Sequence, residues 1–424
     1  MSVPERVDVL VVGAGTAGAA AAACAAREGL SVLCLDRGPL ARAGAHWVNG
    51  VSQAQFEEAG FDPPRGEELR GDDAGFHLIA GYGPERVTIR GHGKLEVDMR
   101  HLVARLQRIA REHGAALAGE VSLDGLDAGV ARTSAGPVRA DVVVDASGMT
   151  GARLLDQPRT DRRDLCTAAQ AVHAVADPAG ARAFLEAHEA AEGEALCFTG
   201  VAGGYSILNV SVHGDEVSIL TGSIPAAGHM AGRAILDRFV DTHPWVGAKR
   251  FGGHRAIPLG RPHDEIARGP IALIGDAARQ VFAAHGSGIG PQLLAARMLA
   301  EAIARGGGPE DYAVRWQRRY GGLFAGSDLF RRFSQTLTLD ELRRLIRAEL
   351  IDETTAGATL AQELPSLGVA RALGMLPRLV EAGGVSARLA RTGARMAAAH
   401  ALYAAYPARG DRTRWSRAVT RVCG

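Results

Sequence analysis

The chain has 424 residues, of which 47% are hydrophobic and 22% are charged, a composition typical of globular proteins. This length exceeds the size at which a single hydrophobic core usually stops growing, so we expect two or three lobes. The formal net charge of +1 at pH 7 excludes the strongly basic surface that binds nucleic acid or an anionic membrane.

Cysteine spacing and the N-terminal sequence bear on metal binding and location. The five cysteines are scattered, odd in number and never spaced as C-x-x-C, so neither a disulfide framework nor a metal site is predicted. No basic segment leads into an apolar stretch at the start, and glycines interrupt the apolar run of residues 9–24. We expect no signal peptide, no transmembrane segment and a cytoplasmic protein.

The first elements in chain order form a β-α-β pattern. Residues 8–12 are an apolar strand, an alanine-rich helix runs to residue 27, and residues 31–36 are a second apolar strand. Between the first strand and the helix, Gly13 permits a sharp turn and Gly15 a close approach to a pyrophosphate, while Gly18 lets the helix pack on the strand. The free N–H groups at the start of the helix favour phosphate.

The second strand ends in Asp36, which is placed to accept hydrogen bonds from an adenosine ribose. Strand, glycine turn, helix, strand and terminal acid arrive at the expected spacing. We therefore predict a dinucleotide-binding site formed by Gly13, Ala14, Gly15, Thr16, Ala17, Gly18, Asp36 and Arg37.

The remaining elements are less regular. Residues 37–90 break into glycine- and proline-rich loops, after which Asp98 caps a helix over residues 99–113. A strand over residues 140–145 follows, and the alternating residues 205–212 and 216–224 predict an antiparallel hairpin. Residues 271–274 are a buried strand that leads to a helix at about residues 290–304, and the sequence after residue 330 is helical.

A second signature follows the strand at residues 271–274. The segments Gly275-Asp276-Ala277-Ala278 and 286–290 resemble the "GD" motif of the p-hydroxybenzoate hydroxylase superfamily of FAD-dependent oxidoreductases. The resemblance implies FAD, with the aspartate on the ribityl chain and the glycine-rich loop beneath the isoalloxazine. The helix that follows would direct its N terminus at the flavin N1/O2 edge. The implied ligands are Asp276, Gly286, Ser287, Gly288, Ile289 and Gly290.

Two more segments resemble the same superfamily. Asp98-Met99-Arg100 resembles its "R-x-x-L" segment, which implies that Arg100 binds FAD; a solvated helix arginine is the alternative. Residues 142–151 resemble the "D-x-S-G-x-x-G" variant of the tryptophan halogenase and geranylgeranyl reductase-like branch. Val121, beyond the helix of residues 99–113, is assigned to the same cofactor site.

The sequence also departs from that branch. It has no W-x-W-x-I-P segment of the halogenases, and Lys94 is the only lysine in its N-terminal half. Residues 45–50 replace the cysteine-bearing segment of the reductases, and Ala283 stands where the family has a proline. No second G-x-G-x-x-G follows a strand, so NAD(P)H, the expected electron donor, has no Rossmann domain of its own.

The fold predicted from these elements is α/β: a Rossmann-like FAD-binding domain with an inserted antiparallel-sheet substrate domain and a helical C-terminal region. The FAD-binding domain takes residues 1–165 and 255–330, with residues 40–95 as a partly substrate-facing excursion. The substrate domain takes residues 166–254, and the helical region takes residues 331–424. Arginine-rich helices over residues 369–406 are either cover for the flavin lobe or a membrane-surface or partner face.

The leading functional interpretation is an FAD-dependent monooxygenase. Its C4a-hydroperoxyflavin would transfer oxygen from O₂ to an aromatic substrate such as an indole or tryptophan, free or held in a peptide. A separate flavin reductase is a conceivable partner. One alternative is an FAD-dependent reductase of C=C bonds in a polyprenyl-type substrate, and another is an FAD-stabilised binding subunit without catalysis.

Three side chains are candidates for the substrate side of the site. His285 lies in the loop expected beside the flavin, where a neutral imidazole could hydrogen-bond substrate or peroxyflavin; the alternative is a loop histidine that faces water. His46 and Trp47 could form an aromatic lid, whereas the alternative for Trp47 is ordinary core packing.

Overall fold

The computed structural model describes residues 3–72, 74–127, 129–363, 378–379 and 382–424. The strands of the first half are β1 (Arg6–Val12), β2 (Val32–Leu35), β3 (Val48–Ser52), β4 (Leu69–Gly71), β5 (Phe76–Ala80), β6 (Arg86–Ile89), β7 (Lys94–Asp98), β8 (Ala116–Ala118), β9 (Leu123–Asp127), β10 (Val130–Thr133) and β11 (Gly136–Asp145). They are followed by β12 (Leu165–Val175), β13 (Ala195–Thr199), β14 (Ser206–His213), β15 (Glu216–Ser223), β16 (Val246–Pro258), β17 (Ala267–Arg268) and β18 (Ile271–Leu273).

Helices connect these strands and dominate the C-terminal third. The earlier ones are α1 (Thr16–Arg27), α2 (Gln53–Glu58), α3 (Met99–Glu112), α4 (Pro178–Ala187) and α5 (Gly232–Thr242). The later ones are α6 (Ile289–Ala304), α7 (Gly308–Trp316), α8 (Gly322–Gln335), α9 (Leu339–Arg347), α10 (Glu353–Ala361), α11 (Gly384–Ala404) and α12 (Thr413–Cys423). No helix in the described ranges is long and apolar enough to cross a membrane.

The first sheet is the nucleotide-binding scaffold. Its strands run β17-β18-β11-β1-β2-β8, with β10 and β9 attached to β11. β1 lies parallel to β2 and β11, and its apolar side chains are buried from Val9 to Val12. Such strands need cover on both faces. α1 supplies part of it, packed against α3 and α6, and the predicted β-α-β unit is confirmed.

The second sheet has the order β16-β12-β15-β14-β13-β5-β6. The predicted hairpin is confirmed, because β14 and β15 pair antiparallel with Val212 opposite Val217. The predicted limits of the substrate domain need correction. β5 and β6 come from the excursion at residues 40–95 and join this sheet through β13, and β16 continues to Pro258.

The two faces of the second sheet have different neighbours. On one face α4 and α5 bury an aromatic cluster that includes Phe184, Phe239 and Trp245. The other face borders a cavity and the C-terminal helices. A third, small sheet of β3, β7 and β4 lies at the edge of that cavity. Successive side chains of β14 therefore point alternately into the packed core and into the cavity wall.

The C-terminal region is helical in the part that the structure describes. α11 packs along α8, where Leu329, Ala399 and Tyr403 share one buried cluster. For the described part of the arginine-rich segment, residues 382–406, this contact favours cover for the flavin lobe over a membrane-surface or partner face. Residues 364–377 and 380–381 lie outside the described ranges.

Candidate FAD and substrate site

The glycine turn after β1 has the geometry of a phosphate cradle. Gly13 has φ of +102°, in the left-handed region that favours glycine. A Cβ on Gly18 would lie 1.7 Å from the Gly13 carbonyl oxygen, so helix and turn are in direct backbone contact. No side chain caps α1 and its first turn has no acidic residue, which leaves the N–H groups there for an anion. The cradle fits a pyrophosphate.

Asp36 and Val121 lie together beside this turn. The Asp36 carboxylate accepts hydrogen bonds from the backbone N–H groups of Ala14 and Gly38, both at 2.9 Å, and thereby joins the turn to the end of β2. The Val121 N–H donates to the Asp36 carbonyl at 2.9 Å. Arg37 is exposed. The roles of these residues in binding adenosine stay predictions.

The second signature packs directly on the first. A Cβ built on Gly275 would lie 2.9 Å from the Ala17 Cβ, so the start of the Asp276 segment touches α1. Gln292 on α6 donates to Asp276 Oδ1 at 3.2 Å, and desolvation raises the pKa of this carboxyl while Arg255 opposes the rise. α6 begins beside this pair with no side-chain cap and no acidic residue in its first turn. The arrangement fits a cofactor that extends from α1 to α6.

The loop of residues 282–288 is a closed turn. The Phe282 N–H donates to the Ser287 carbonyl at 2.8 Å, and the Gly286 N–H donates back to Phe282 at 2.9 Å. The Ala283 N–H donates to Ser327 Oγ on α8 at 3.0 Å. A proline here would lack that donor, which is a structural reason for the departure from the family pattern.

His285 is partly buried and lines the cavity. Burial and the nearby Lys94 charge lower the pKa of His285 to about 3, so the imidazole is neutral at physiological pH. Its Nε2 is buried without a hydrogen-bond partner. The buried Nε2 favours a position inside the cavity over a histidine that faces bulk water, and a catalytic role stays a prediction.

Arg100 is held by neighbours of its own chain. Its guanidinium makes a two-point contact with the buried Asp98 carboxylate, at 3.0 and 2.6 Å, and stacks on Phe251 with 3.6 Å from Cζ to the ring centre. Asp98 also caps α3 as expected, accepting from the Arg100 N–H at 3.0 Å. The Arg100 side chain is thus paired with Asp98 while 36% exposed, and both FAD binding and the alternative of a solvated helix arginine stay predictions.

The proposed aromatic lid is not supported. Trp47 is buried in the largest core cluster, and neither it nor His46 lines the cavity. The next residues do line it, because β3 continues with Val48, Asn49 and Gly50 along the cavity edge. The hydrophobicity of Trp47 explains its place in the core.

A cavity of about 580 Å³ lies between the second sheet, the small sheet and the C-terminal helices. This volume is within the range of roughly 300–1,000 Å³ that is usual for small-molecule sites. His285, Ser287 and Phe282 form the part of its wall that belongs to the flavin loop. The C-terminal helices and the turns between them contribute mainly aliphatic side chains, among them Leu337, Leu342, Leu345, Leu350, Leu360 and Leu389. The cavity therefore suits an apolar ligand that reaches the flavin loop.

Sequence reasoning missed several residues that shape this region. Gln107 of α3 is buried and donates to the carbonyls of Ala14 and Leu40, at 3.0 and 3.1 Å, which holds the phosphate turn. Tyr205 is buried with its hydroxyl 3.5 Å from a Cβ built on Gly286. Lys94 is buried in the cavity wall. Its rarity was the available signal, because this arginine-rich chain has one other lysine, Lys249.

Comparison with known proteins places this geometry in a class. Residues 8–70 match the family described as "FAD dependent oxidoreductase". The digeranylgeranylglycerophospholipid reductase of Sulfolobus acidocaldarius is 26% identical, covering 82% of each chain. The menaquinone reductase of Mycolicibacterium smegmatis is 27% identical, covering 79% of this chain and 85% of its own.

Solved structures show the same fold. A geranylgeranyl bacteriochlorophyll reductase-like protein from Thermoplasma acidophilum superposes with a TM-score of 0.72 at 20% identity, over 92% of this chain and 99% of its own. A flavin-dependent brominase gives a TM-score of 0.62 at 18% identity, over 89% and 98% of the two chains.

Fold and site together define an FAD-dependent oxidoreductase. Within that class, the chain has the fold of the geranylgeranyl reductase and halogenase-like branch, with an FAD-binding Rossmann-like domain, an antiparallel sheet domain and C-terminal helices. The predicted fold class and the predicted FAD cofactor are confirmed.

Proposed function

We propose that this protein is a flavin-dependent reductase of C=C bonds in a polyprenyl-type substrate. The observation that carries the proposal is the cavity of about 580 Å³, which runs from the flavin loop to an aliphatic wall of the C-terminal helices. A prenyl chain is a branched hydrocarbon, and its burial against leucine side chains is favourable by roughly 25 cal/mol per Å² of apolar surface. Curated relatives that are named as reductases of prenyl-bearing lipids and of menaquinone support it.

The chain and the cofactor have separate tasks. FAD, when bound and reduced, would supply a hydride to one carbon of the double bond, and a proton from solvent to the other carbon would complete the addition of two hydrogen atoms. The protein binds the prenyl chain, keeps water from the reacting bond and holds the loop of residues 282–288 in a fixed turn. NAD(P)H, directly or through a separate flavin reductase, is our proposal for the electron source.

This proposal replaces aromatic hydroxylation as the leading interpretation. Hydroxylation has no support among the curated relatives, which are named reductases. The aliphatic cavity wall also offers a long hydrocarbon more contact than a planar aromatic ring would use. Resemblance to a flavin-dependent brominase is at the level of fold alone.

An anaerobic experiment tests the reductase directly. The FAD-loaded protein is reduced with dithionite, mixed with geranylgeranyl diphosphate without oxygen, and followed by flavin absorbance and product mass. We expect reoxidation of the flavin, and product that has gained two hydrogen atoms for each double bond reduced. Absence of reoxidation with every prenyl substrate, together with oxygen-dependent hydroxylation of an indole, would restore the monooxygenase.

A narrowed cavity provides the matched control. Leu360 on α10 lines the aliphatic wall, so Leu360→Trp adds bulk where the prenyl chain is to lie. Met230 is 39% exposed and is not among the residues that line the cavity, so Met230→Trp adds the same bulk at the surface. We expect the first variant to lose prenyl turnover and to keep its FAD, and the second to behave as the wild type.

A further inference from the structure

Lys94 is an ammonium enclosed in a cavity that is otherwise mainly apolar. It lies on β7, next to β3, and it is only 7% exposed. Desolvation lowers the pKa of Lys94 from its ordinary 10.5 to about 8, so the group still carries a proton at neutral pH. A buried charge is costly unless an opposite charge or hydrogen bonds compensate for it.

No compensating group lies near the Lys94 ammonium in the described part of the chain. No carboxylate there is within ion-pair distance of it, and no side-chain hydrogen bond joins it to another residue. Glu96, two residues along the same strand, is engaged by His213 at 3.3 Å and by Ser211 at 3.3 Å. Asp98 is engaged by Arg100. The nearest acids of β7 thus have other partners.

Lys94 gives the cavity a charged group beside its apolar walls. It lines the same cavity as His285 of the flavin loop, and its Cδ lies 4.0 Å from a Cβ built on Gly50 of β3. The aliphatic wall is formed by α9 and α10 and by Leu389 of α11. The cationic group, the flavin loop and the apolar side chains therefore share one cavity.

We propose that Lys94 binds the anionic group of an amphipathic ligand, a phosphate or carboxylate, whose hydrocarbon tail lies against the C-terminal helices. The identity of the tail rests on the proposed prenyl reduction, whereas the charge recognition does not.

Binding measurements on oxidised, FAD-loaded protein test the charge recognition without turnover. Geranyl monophosphate and geraniol have the same tail and differ in the anion, and titration calorimetry gives the affinity of each. We expect the wild type to prefer the phosphate, and Lys94→Met to weaken its binding by roughly 10- to 100-fold, as for loss of a charge-assisted contact. Geraniol should bind both proteins alike.

Lys249→Met is the matched control, because it removes the other lysine of the chain, which is exposed. It should bind both ligands as the wild type does. Equal loss of geraniol and geranyl phosphate in Lys94→Met would show a merely structural role and overturn the proposal, as would an unchanged affinity for the phosphate. If inorganic phosphate bound as tightly as geranyl phosphate, the hydrocarbon tail would contribute nothing to binding, and that part of the proposal would be wrong.

A spectroscopic titration gives an independent readout. Protein grown with ¹³Cε-lysine has two lysine signals, and Lys249→Met assigns them. Geranyl phosphate should raise the pKa of Lys94 from about 8, because an adjacent anion favours the ammonium, and should leave the Lys249 signal unchanged. The cavity is also lined by the titratable residues Asp72, His92, Glu96, His285 and Glu363. Because Glu96 lies on the same strand as Lys94, the ligand-induced rise in the Lys94 pKa must also be seen in a Glu96→Gln variant. Failure of prenyl reduction with this shift intact would refute the reductase alone.

Discussion

At the scale of the residue, the burial of Lys94 lowers the stability of the fold. Its pKa of about 8 lies below the ordinary 10.5 because burial disfavours the ammonium. The unfolded chain therefore binds more protons than the folded chain between these two values. Stability contributed by this group rises with pH through that window, and the penalty is complete below about pH 8.

We predict from this linkage that Lys94→Met raises the free energy of unfolding at pH 7, by a value on the order of 3 kcal/mol or less. The gain over wild type should shrink as the pH rises from 8 towards 10.5. Urea unfolding of both proteins at several pH values measures it. A gain that stays constant with pH would mean that packing, and not the buried charge, explains the difference.

Other buried groups at this scale are passive. Burial raises the pKa of the Cys24, Cys34 and Cys197 thiols to about 12, so these side chains behave as small apolar groups. All three are free cysteines and are buried.

At the scale of elements, the phosphate turn depends on contacts that side chains would block. The turn lies between α1 and the segment after β11, where a Cβ on Gly13 would be 2.5 Å from the Ala146 carbonyl oxygen. Asp145 fixes that segment by accepting from the N–H groups of Ser147 and Leu154, each at 3.1 Å. The D-x-S-G-x-x-G stretch therefore acts as the backing of the cradle.

We predict that Gly18→Ala displaces the turn, because its Cβ would lie 1.7 Å from the Gly13 carbonyl oxygen. FAD affinity should fall by roughly 10-fold or more, as lost charge-assisted hydrogen bonds to the pyrophosphate imply. Equilibrium dialysis against FAD measures it. Gly384→Ala, where a Cβ meets no atom within 4 Å, should bind FAD normally, and normal binding by Gly18→Ala would refute the close contact.

At the scale of the molecule, the cofactor site joins segments that are far apart in sequence. Asp36 follows β2, Gln107 belongs to α3, and Asp276 precedes α6. A ligand that touches all three stabilises their arrangement, in proportion to its binding free energy.

We therefore predict that FAD raises the Tm of the apoprotein more than FMN does at equal concentration, with ADP between them or close to FAD. The reason is that the glycine turn and Asp36 address the half of the cofactor that FMN lacks. Differential scanning fluorimetry of the apoprotein tests this order. An equal shift with FMN would place the main binding contacts at the isoalloxazine instead.

Local sequence was sufficient for the nucleotide-binding half of the protein. The turn at Gly13, Gly15 and Gly18, the cap at Asp98 and the hairpin around His213 each depend on residues close in the chain, and their backbone requirements are readable from residue type. The same holds for the Asp276 motif, whose spacing after a buried strand predicts its fold.

Only the tertiary structure determined which residues line the cavity. Its walls join β7 at residue 94 to the loop at residue 285 and to helices beyond residue 337, and no local pattern encodes such distant pairings. The same pairings bury Lys94, send Trp47 into the core and bring β5 and β6 into the second sheet. Burial and cavity shape arise from the sum of long-range contacts, and therefore the proposed substrate class depends on the assembled fold, whereas the cofactor class is predicted by the sequence.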